Sequence, residues 1–195
     1  VVLEVGMGGE LDSTNVIGVP EAAVIAAMGL DHVKELGPTM ADIARAKAGI
    51  IKPGGAVVSY GGNAEADPVF ESVCRERGAS LRRPDFARIV PGEFDLDGQS
   101  FSYGPWKELR IPLVGEYQMN NAAVVLETVQ VLRERGWNIP GEAVRRGMAE
   151  TRWPARFEVL RRDPVFIVDG GHNPHGIRAT AESLRRLFPG KKITF

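Results

Sequence analysis

The sequence predicts an α/β fold: a mostly parallel sheet flanked by helices, with a small antiparallel β element and the beginning of a second α/β domain. Three observations carry this. Short apolar runs rich in β-branched residues alternate with segments of helical spacing. A stretch centred on Asp97 and Gly98 alternates polar and apolar residues around a turn dipeptide, as a hairpin does. After Trp153 and Pro154, a fresh strand, helix, strand order begins.

In order, residues 1–5, 23–27, 56–59 and 86–90 read as strands. Between them, 39–48 and 67–77 carry helical spacing, the first capped by Thr39 with Asp42 three residues on. Such alternation builds βαβ units and a parallel sheet. The run FDLDGQSFSY then supplies the hairpin, and 109–114 a further strand. From 118 to 135 a stripe of Ala122, Val125, Leu126, Val129 and Leu132 predicts a long helix, closed by Gly136. A shorter helix, 142–148, follows Pro140. Beyond the interruption at TRWPAR come a strand at 164–169, a helix at 174–188 and a strand from 192. The expected domains are therefore 1–152 and 153–195, the second too short to hold an α/β core alone.

At 44% hydrophobic, 195 residues suffice for one core and part of another. A formal net charge of -1 with both signs interleaved offers no field for nucleic acid or an anionic membrane, so the expected partners are small molecules. No stretch reaches the length of a membrane span. The single cysteine, Cys74, has no internal disulfide partner, which fits a reducing, cytoplasmic setting. Opening on Val1 and closing on Phe195, both inside apolar runs and without an initial Met, the sequence reads as a piece of a longer protein.

Three side chains near the start are candidate metal-site groups. Glu4 lies in an apolar run, where a carboxylate is costly unless a cation or donors meet it, and the GMGG after it lets backbone approach a ligand closely. His32 follows the run AVIAAMGLD, and Lys47 sits in the helical segment ADIARAKAGIIKPG. All three are expected at one edge of a buried sheet, where α/β enzymes place their chemistry. Read singly, each has an ordinary alternative: a glutamate bonded to its glycine loop, a satisfied histidine, a solvated helix lysine.

Taken together, LEVGMGGELDSTNVI, GLDH, ARAKAGIIKPG, GEYQMNNA, WPARFEV and DGGHNPHG resemble, in the same order and with similar spacing, the folylpolyglutamate synthase family, often bifunctional with dihydrofolate synthase, within the Mur ligase superfamily. The resemblance spans essentially the whole chain. It implies a Mur ligase central (ATPase) domain without its phosphate loop, followed by the start of a Rossmann-like C-terminal domain. It also implies an ATP-dependent ligase, monomeric as a whole protein, that adds L-glutamate to folate or dihydropteroate. The chain alone is expected to be inactive.

Residue by residue, the resemblance implies that Glu4 and His32 hold magnesium beside the ATP phosphates. It implies that Lys47 is carbamylated and helps hold a second magnesium ion. Addition of carbon dioxide to a neutral amine turns a cation into a carboxylate on a long arm, a ligand that suits magnesium. Asp12 matches a position linked to the pterin-bearing substrate; an Asx-turn is its competing reading. Gln118 and Asn121 match adenine contacts, their amides offering the donor and acceptor that a purine edge needs, while helix capping is the alternative. Arg156 matches a phosphate-contacting arginine and Asp169 a nucleotide-contacting aspartate. His172 lies near the phosphates, before a helix opened by Asn173 and Pro174 whose amide end favours anions. His175 carries no assignment and reads as a surface or capping residue.

Three positions depart from the family pattern. Glu10 stands where arginine is common, Ala155 where glycine is common, and Gly171 where alanine is common. Glu10 puts substrate preference in doubt more than ATP handling. Two rival readings remain open: another Mur-type ligase acting on a peptidoglycan precursor, and a noncatalytic nucleotide-binding module.

Overall fold

A computed structural model describes residues 1–172 and 174–194, and of residues 174 and 175 the backbone only. The chain divides into two compact units: 1–84 with 124–138, and 85–123 with 139–195. The domain boundary expected at 153 falls inside the second unit.

In the first unit, β1 (Ala23–Ile25), β2 (Ala56–Ser59) and β3 (Ser80–Arg82) form a parallel sheet in the order β1-β2-β3, with Ala23 opposite Val57 and Ala56 opposite Ser80. All four residues of β2 are buried, as a central strand covered on both faces requires. The helices are α1 (Val33–Leu36), α2 (Met40–Ala48) and α3 (Asp67–Glu76). Ile25, Ala44, Ile51, Val57, Phe70 and Cys74 make the core. Full burial of a side chain such as Phe70 contributes roughly 2–3 kcal/mol. Burial also pushes the Cys74 thiol up, away from reactive thiolate.

α2 starts where its sequence says. Thr39 Oγ1 accepts from the Asp42 amide at 3.1 Å, and Asp42 Oδ2 accepts from the Thr39 amide at 3.2 Å, a reciprocal capping box. The long helix α4 (Glu116–Glu134) adds Val124 and Val131 to a second apolar cluster with Ala56 and Val58. Arg82 Nη2 binds the Glu134 carboxylate at 2.8 Å and 2.9 Å, holding the end of β3 to the last turn of α4.

The second unit holds an antiparallel meander, β4 (Ile89–Asp95), β5 (Gly98–Tyr103) and β6 (Trp106–Ile111). Asp95 Oδ1 accepts from the Asp97 amide at 2.7 Å and closes the expected hairpin. Phe101, Tyr103, Leu109 and Ile111 are buried. Gln99, also buried, donates from Nε2 to the Leu113 and Gly115 carbonyls at 2.8 and 2.6 Å, fixing the entry to α4. α5 (Gly141–Glu150), an antiparallel pair β7 (Glu158–Arg162) and β8 (Val165–Val168), and α6 (Pro174–Leu187) complete the unit. Val114, Phe157 and Leu184 form its small apolar cluster.

Several expected elements shift. Residues 1–5 form no strand; Val1 and Val2 are fully exposed and Glu4 lies outside any sheet, because no described strand pairs with this run. The strand expected at 86–90 opens as a 3-10 turn, Phe86–Arg88, before β4. The one expected at 109–114 starts earlier, at Trp106. Residues 192–194 form no strand, and β3 and β7 were not foreseen. Asn173 and the His175 side chain lie outside the described residues. Among the described residues no helix is long and apolar enough to cross a membrane.

Candidate functional site

In the first unit the glycine loop after Glu4 lies against two helices. Gly8 has φ +64, a left-handed conformation, and a Cβ there would sit 2.9 Å from Leu36 Cδ2 and 3.5 Å from Ala46 Cβ. Only glycine meets both demands without strain. Gly49, closing α2, would drive a Cβ into the Glu10 backbone. The Glu10 amide donates to the Ala46 carbonyl at 2.9 Å. Asn15, which sequence reasoning passed over, donates from Nδ2 to the Glu10 and Gly49 carbonyls at 3.1 and 3.2 Å. Thus the loop that follows Glu4, the short helix that follows His32 and the helix that carries Lys47 pack together.

Among the described residues the Glu4 and Lys47 side chains have no polar partner. Glu4 is exposed, His32 is half-exposed and Lys47 partly buried, and no hydrogen bond or ion pair links the three. His32 sits at φ 49, a left-handed N-cap of α1, with Asp31 Oδ1 4.0 Å from its Nε2. Among the described residues no three histidine, cysteine or acidic side chains gather to hold a metal. The expected set contains two such side chains; its third member, Lys47, becomes an oxygen donor only when carbamylated. With Lys47 carbamylated, the set would offer two oxygen donors and an imidazole, of which the oxygens suit magnesium.

Asp12 is, by contrast, fully engaged. Its Oδ2 accepts from the Gly6 and Met7 amides at 2.9 and 3.0 Å, and its Oδ1 from the Thr14 amide and hydroxyl at 2.9 and 2.6 Å. The Thr14 hydroxyl and amide, then the Met7 amide, hold its carboxyl down at about 2. Asp12 thereby caps the 3-10 turn Ser13–Val16 and ties down the glycine loop.

In the second unit the expected residues interlock. Buried Gln118 accepts through Oε1 from Asn121 Nδ2 at 3.0 Å. Beside them is Tyr117, which sequence reasoning missed: burial and then the Asp169 charge push its hydroxyl up, while Arg156 and a bond from Gln118 pull it back. Asp169, Arg156 and Gln118 therefore all lie within electrostatic reach of one phenol. Asp169 ends β8. Its Oδ2 accepts from the Phe157 amide at 2.8 Å, and its Oδ1 from the Gly171 amide at 2.8 Å and the Thr180 hydroxyl at 3.0 Å. The Gly170 amide answers to the Ala155 carbonyl at 2.6 Å. Arg156 is flanked by Ala155 at φ 55 and Phe157 at φ 47, both left-handed, and its guanidinium stacks 5.4 Å from the Trp153 ring centroid. His172 Nδ1 lies 3.0 Å from the Gly170 carbonyl, an acceptor that favours the tautomer with the proton on Nδ1.

Comparison with known proteins agrees with these motifs. Residues 155–195 match the model for the Mur ligase glutamate ligase domain. Folylpolyglutamate synthase of Lacticaseibacillus casei is 39% identical over 193 residues, 96% of this chain and 45% of that protein. The dihydrofolate synthase/folylpolyglutamate synthase of Bacillus subtilis is 34% identical over 200 residues, 100% of this chain and 46% of that protein. Among solved structures, a folylpolyglutamate synthase complex with AMPPCP and folate superposes with a TM-score of 0.88 at 35% identity, covering 96% of this chain and 47% of that one. The chain spans about half the length of the relatives it matches. Over its length the chain shares sequence motifs and an α/β architecture with the folylpolyglutamate synthase/dihydrofolate synthase family of Mur ligases.

Proposed function

We propose that the full-length protein carrying this chain is an ATP-dependent ligase that joins L-glutamate to folate, to dihydropteroate, or to both. The observation that carries this reading is the identity of 39% to folylpolyglutamate synthase across 96% of the chain, motifs included. The γ-phosphoryl group of ATP passes to the substrate carboxylate, giving an acyl phosphate and ADP. The neutral α-amino group of glutamate attacks that carbonyl, loses a proton and expels inorganic phosphate, leaving an amide.

Each residue has a task in this scheme. Asn121 keeps a carbonyl oxygen and an amide proton for an adenine edge once Gln118 has taken its other proton. Arg156, stacked on Trp153, grips phosphate oxygens. His172 lies near the same phosphates, and Asp169 ties the turn that carries Arg156 to the loop that carries His172. Glu4, His32 and Lys47, once carbamylated, would hold magnesium, which when bound would supply positive charge beside the transferring phosphoryl group. Asp12 anchors the loop beside the pterin-bearing substrate. The enzyme works as a cytoplasmic monomer on small molecules.

The test is an assay of the full-length protein with ATP, L-glutamate and either dihydropteroate or tetrahydrofolate. A glutamate adduct formed only with ATP is the expected product, and the substrate that yields it assigns the activity. No adduct with either substrate would overturn the reading.

A further inference from the structure

Asp169 spends all its observed bonds on the chain itself. Its two oxygens join three places: the Phe157 amide just after Arg156, the Gly171 amide just before His172, and the Thr180 hydroxyl in the second turn of α6. The segment 155–157 needs such a fastening. Left-handed backbone at the two non-glycine sites that flank Arg156, φ 55 and φ 47, costs on the order of 1–2 kcal/mol per residue. An anionic acceptor for the Phe157 amide offsets that cost. Among the described residues three groups donate to Asp169, and of these Thr180 is the one side chain and the one on a helix.

Gly171 belongs to the same arrangement. A Cβ added there would lie 2.7 Å from Asp169 Oδ1, closer than any real Cβ contact, while its φ imposes no left-handed constraint. The absent side chain at 171 therefore leaves the space that Oδ1 occupies when it accepts from Thr180. The Thr180 contact and the Gly171 space thus form one local solution.

We infer that Thr180 is a positioning residue: through Asp169 it holds the left-handed turn at 155–157 and so aims the Arg156 guanidinium at its phosphate. This rests on the phosphate role proposed for Arg156. The Thr180 hydroxyl also lies 3.1 Å from the Gly176 carbonyl, so its single proton is shared between a neutral acceptor of its own helix and the carboxylate. The charged acceptor is the stronger one.

Hydrogen–deuterium exchange of the peptide spanning 155–158, measured in the full-length protein, reads the clasp without any assay of activity. Thr180→Val keeps the shape and removes the donor; exchange should quicken about tenfold, the loss of one bond to a charged acceptor. Thr180→Ser should restore the native rate. Gly171→Ala, which displaces Oδ1 while sparing Thr180, should quicken exchange as well. In glutamate ligation, Thr180→Val should lower kcat about tenfold and leave KM for ATP within about twofold, since the loss falls on a contact made as charge shifts. Unchanged exchange in both Thr180→Val and Gly171→Ala would overturn the clasp. Quickened exchange with undiminished kcat would overturn its role in aiming Arg156. A wild-type protein with a slow-exchanging 155–158 segment and no ligation at all would sink the ligase reading and leave the clasp standing.

Discussion

The two units treat their candidate residues in opposite ways. In the first, the backbone is tightly organised by Asp12, Asn15 and two close-packed glycines, while among the described residues the Glu4 and Lys47 side chains have no polar partner. In the second, Gln118, Asn121, Asp169 and His172 are bonded to one another's neighbourhood before any ligand arrives. Side chains with few partners on a fixed backbone suit a cation, which must be surrounded by groups with lone pairs to give. Interlocked side chains suit a nucleotide, whose edge and phosphates are met by dipoles already in place.

That contrast predicts mutational effects of different kinds. Lys47→Ala in the full-length enzyme should cut turnover at least about 100-fold, the scale for losing a group that stabilises transition-state charge. Stability should stay within about 0.5 kcal/mol, as for a partly exposed side chain without a polar partner among the described residues. Steady-state kinetics and urea denaturation measure the two, and unimpaired turnover would end the role given to Lys47. Asp169→Ala should instead destabilise the fold itself, by about 3 kcal/mol for three bonds to a charged acceptor. A denaturation midpoint equal to wild type would show that the second unit is not held together by that carboxylate.

A smaller effect should appear with pH. The Asp12 carboxyl is held at about 2, below the ordinary 3.8, by the Thr14 hydroxyl and amide first and the Met7 amide after them. A depressed acid stabilises the fold above its unfolded value, and the contribution is lost as pH falls from 3.8 through about 2. The carboxyl carbon resonance of Asp12 should titrate near the lower value; a midpoint close to 3.8 would mean that the loop is not anchored as described. Smallest of all, Ala155→Gly should stabilise by up to about 1 kcal/mol, since glycine adopts φ 55 without the Cβ clash. Loss of stability in thermal unfolding would argue against strain at that turn.

Much of this was written locally in the sequence. The Thr39 capping box, the Asp97 hairpin and the Gly136 end of α4 depend on neighbours a few residues apart, and all three are present. Residues 1–5 misled because an apolar run looks the same whether or not a strand pairs with it. β7 was missed because EVLRR is short, charged and largely exposed, with no apolar alternation to notice. The site residues were legible as motifs, yet their bonding was not. Asp169 and Thr180 are eleven positions apart, and Asp169 and Phe157 twelve, so only the folded chain shows that they meet. Tyr117 stood next to a recognised glutamine and gave no signal until Asp169 and Arg156 came within reach of it.

Oxygen-18 transfer tests the proposed chemistry most directly. The full-length protein would be given ATP, L-glutamate and a folate or dihydropteroate acceptor labelled in both oxygens of its reacting carboxylate. One labelled oxygen should leave in the inorganic phosphate and the other stay in the new amide. Phosphate free of label, alongside a formed amide, would contradict activation of the carboxylate by ATP.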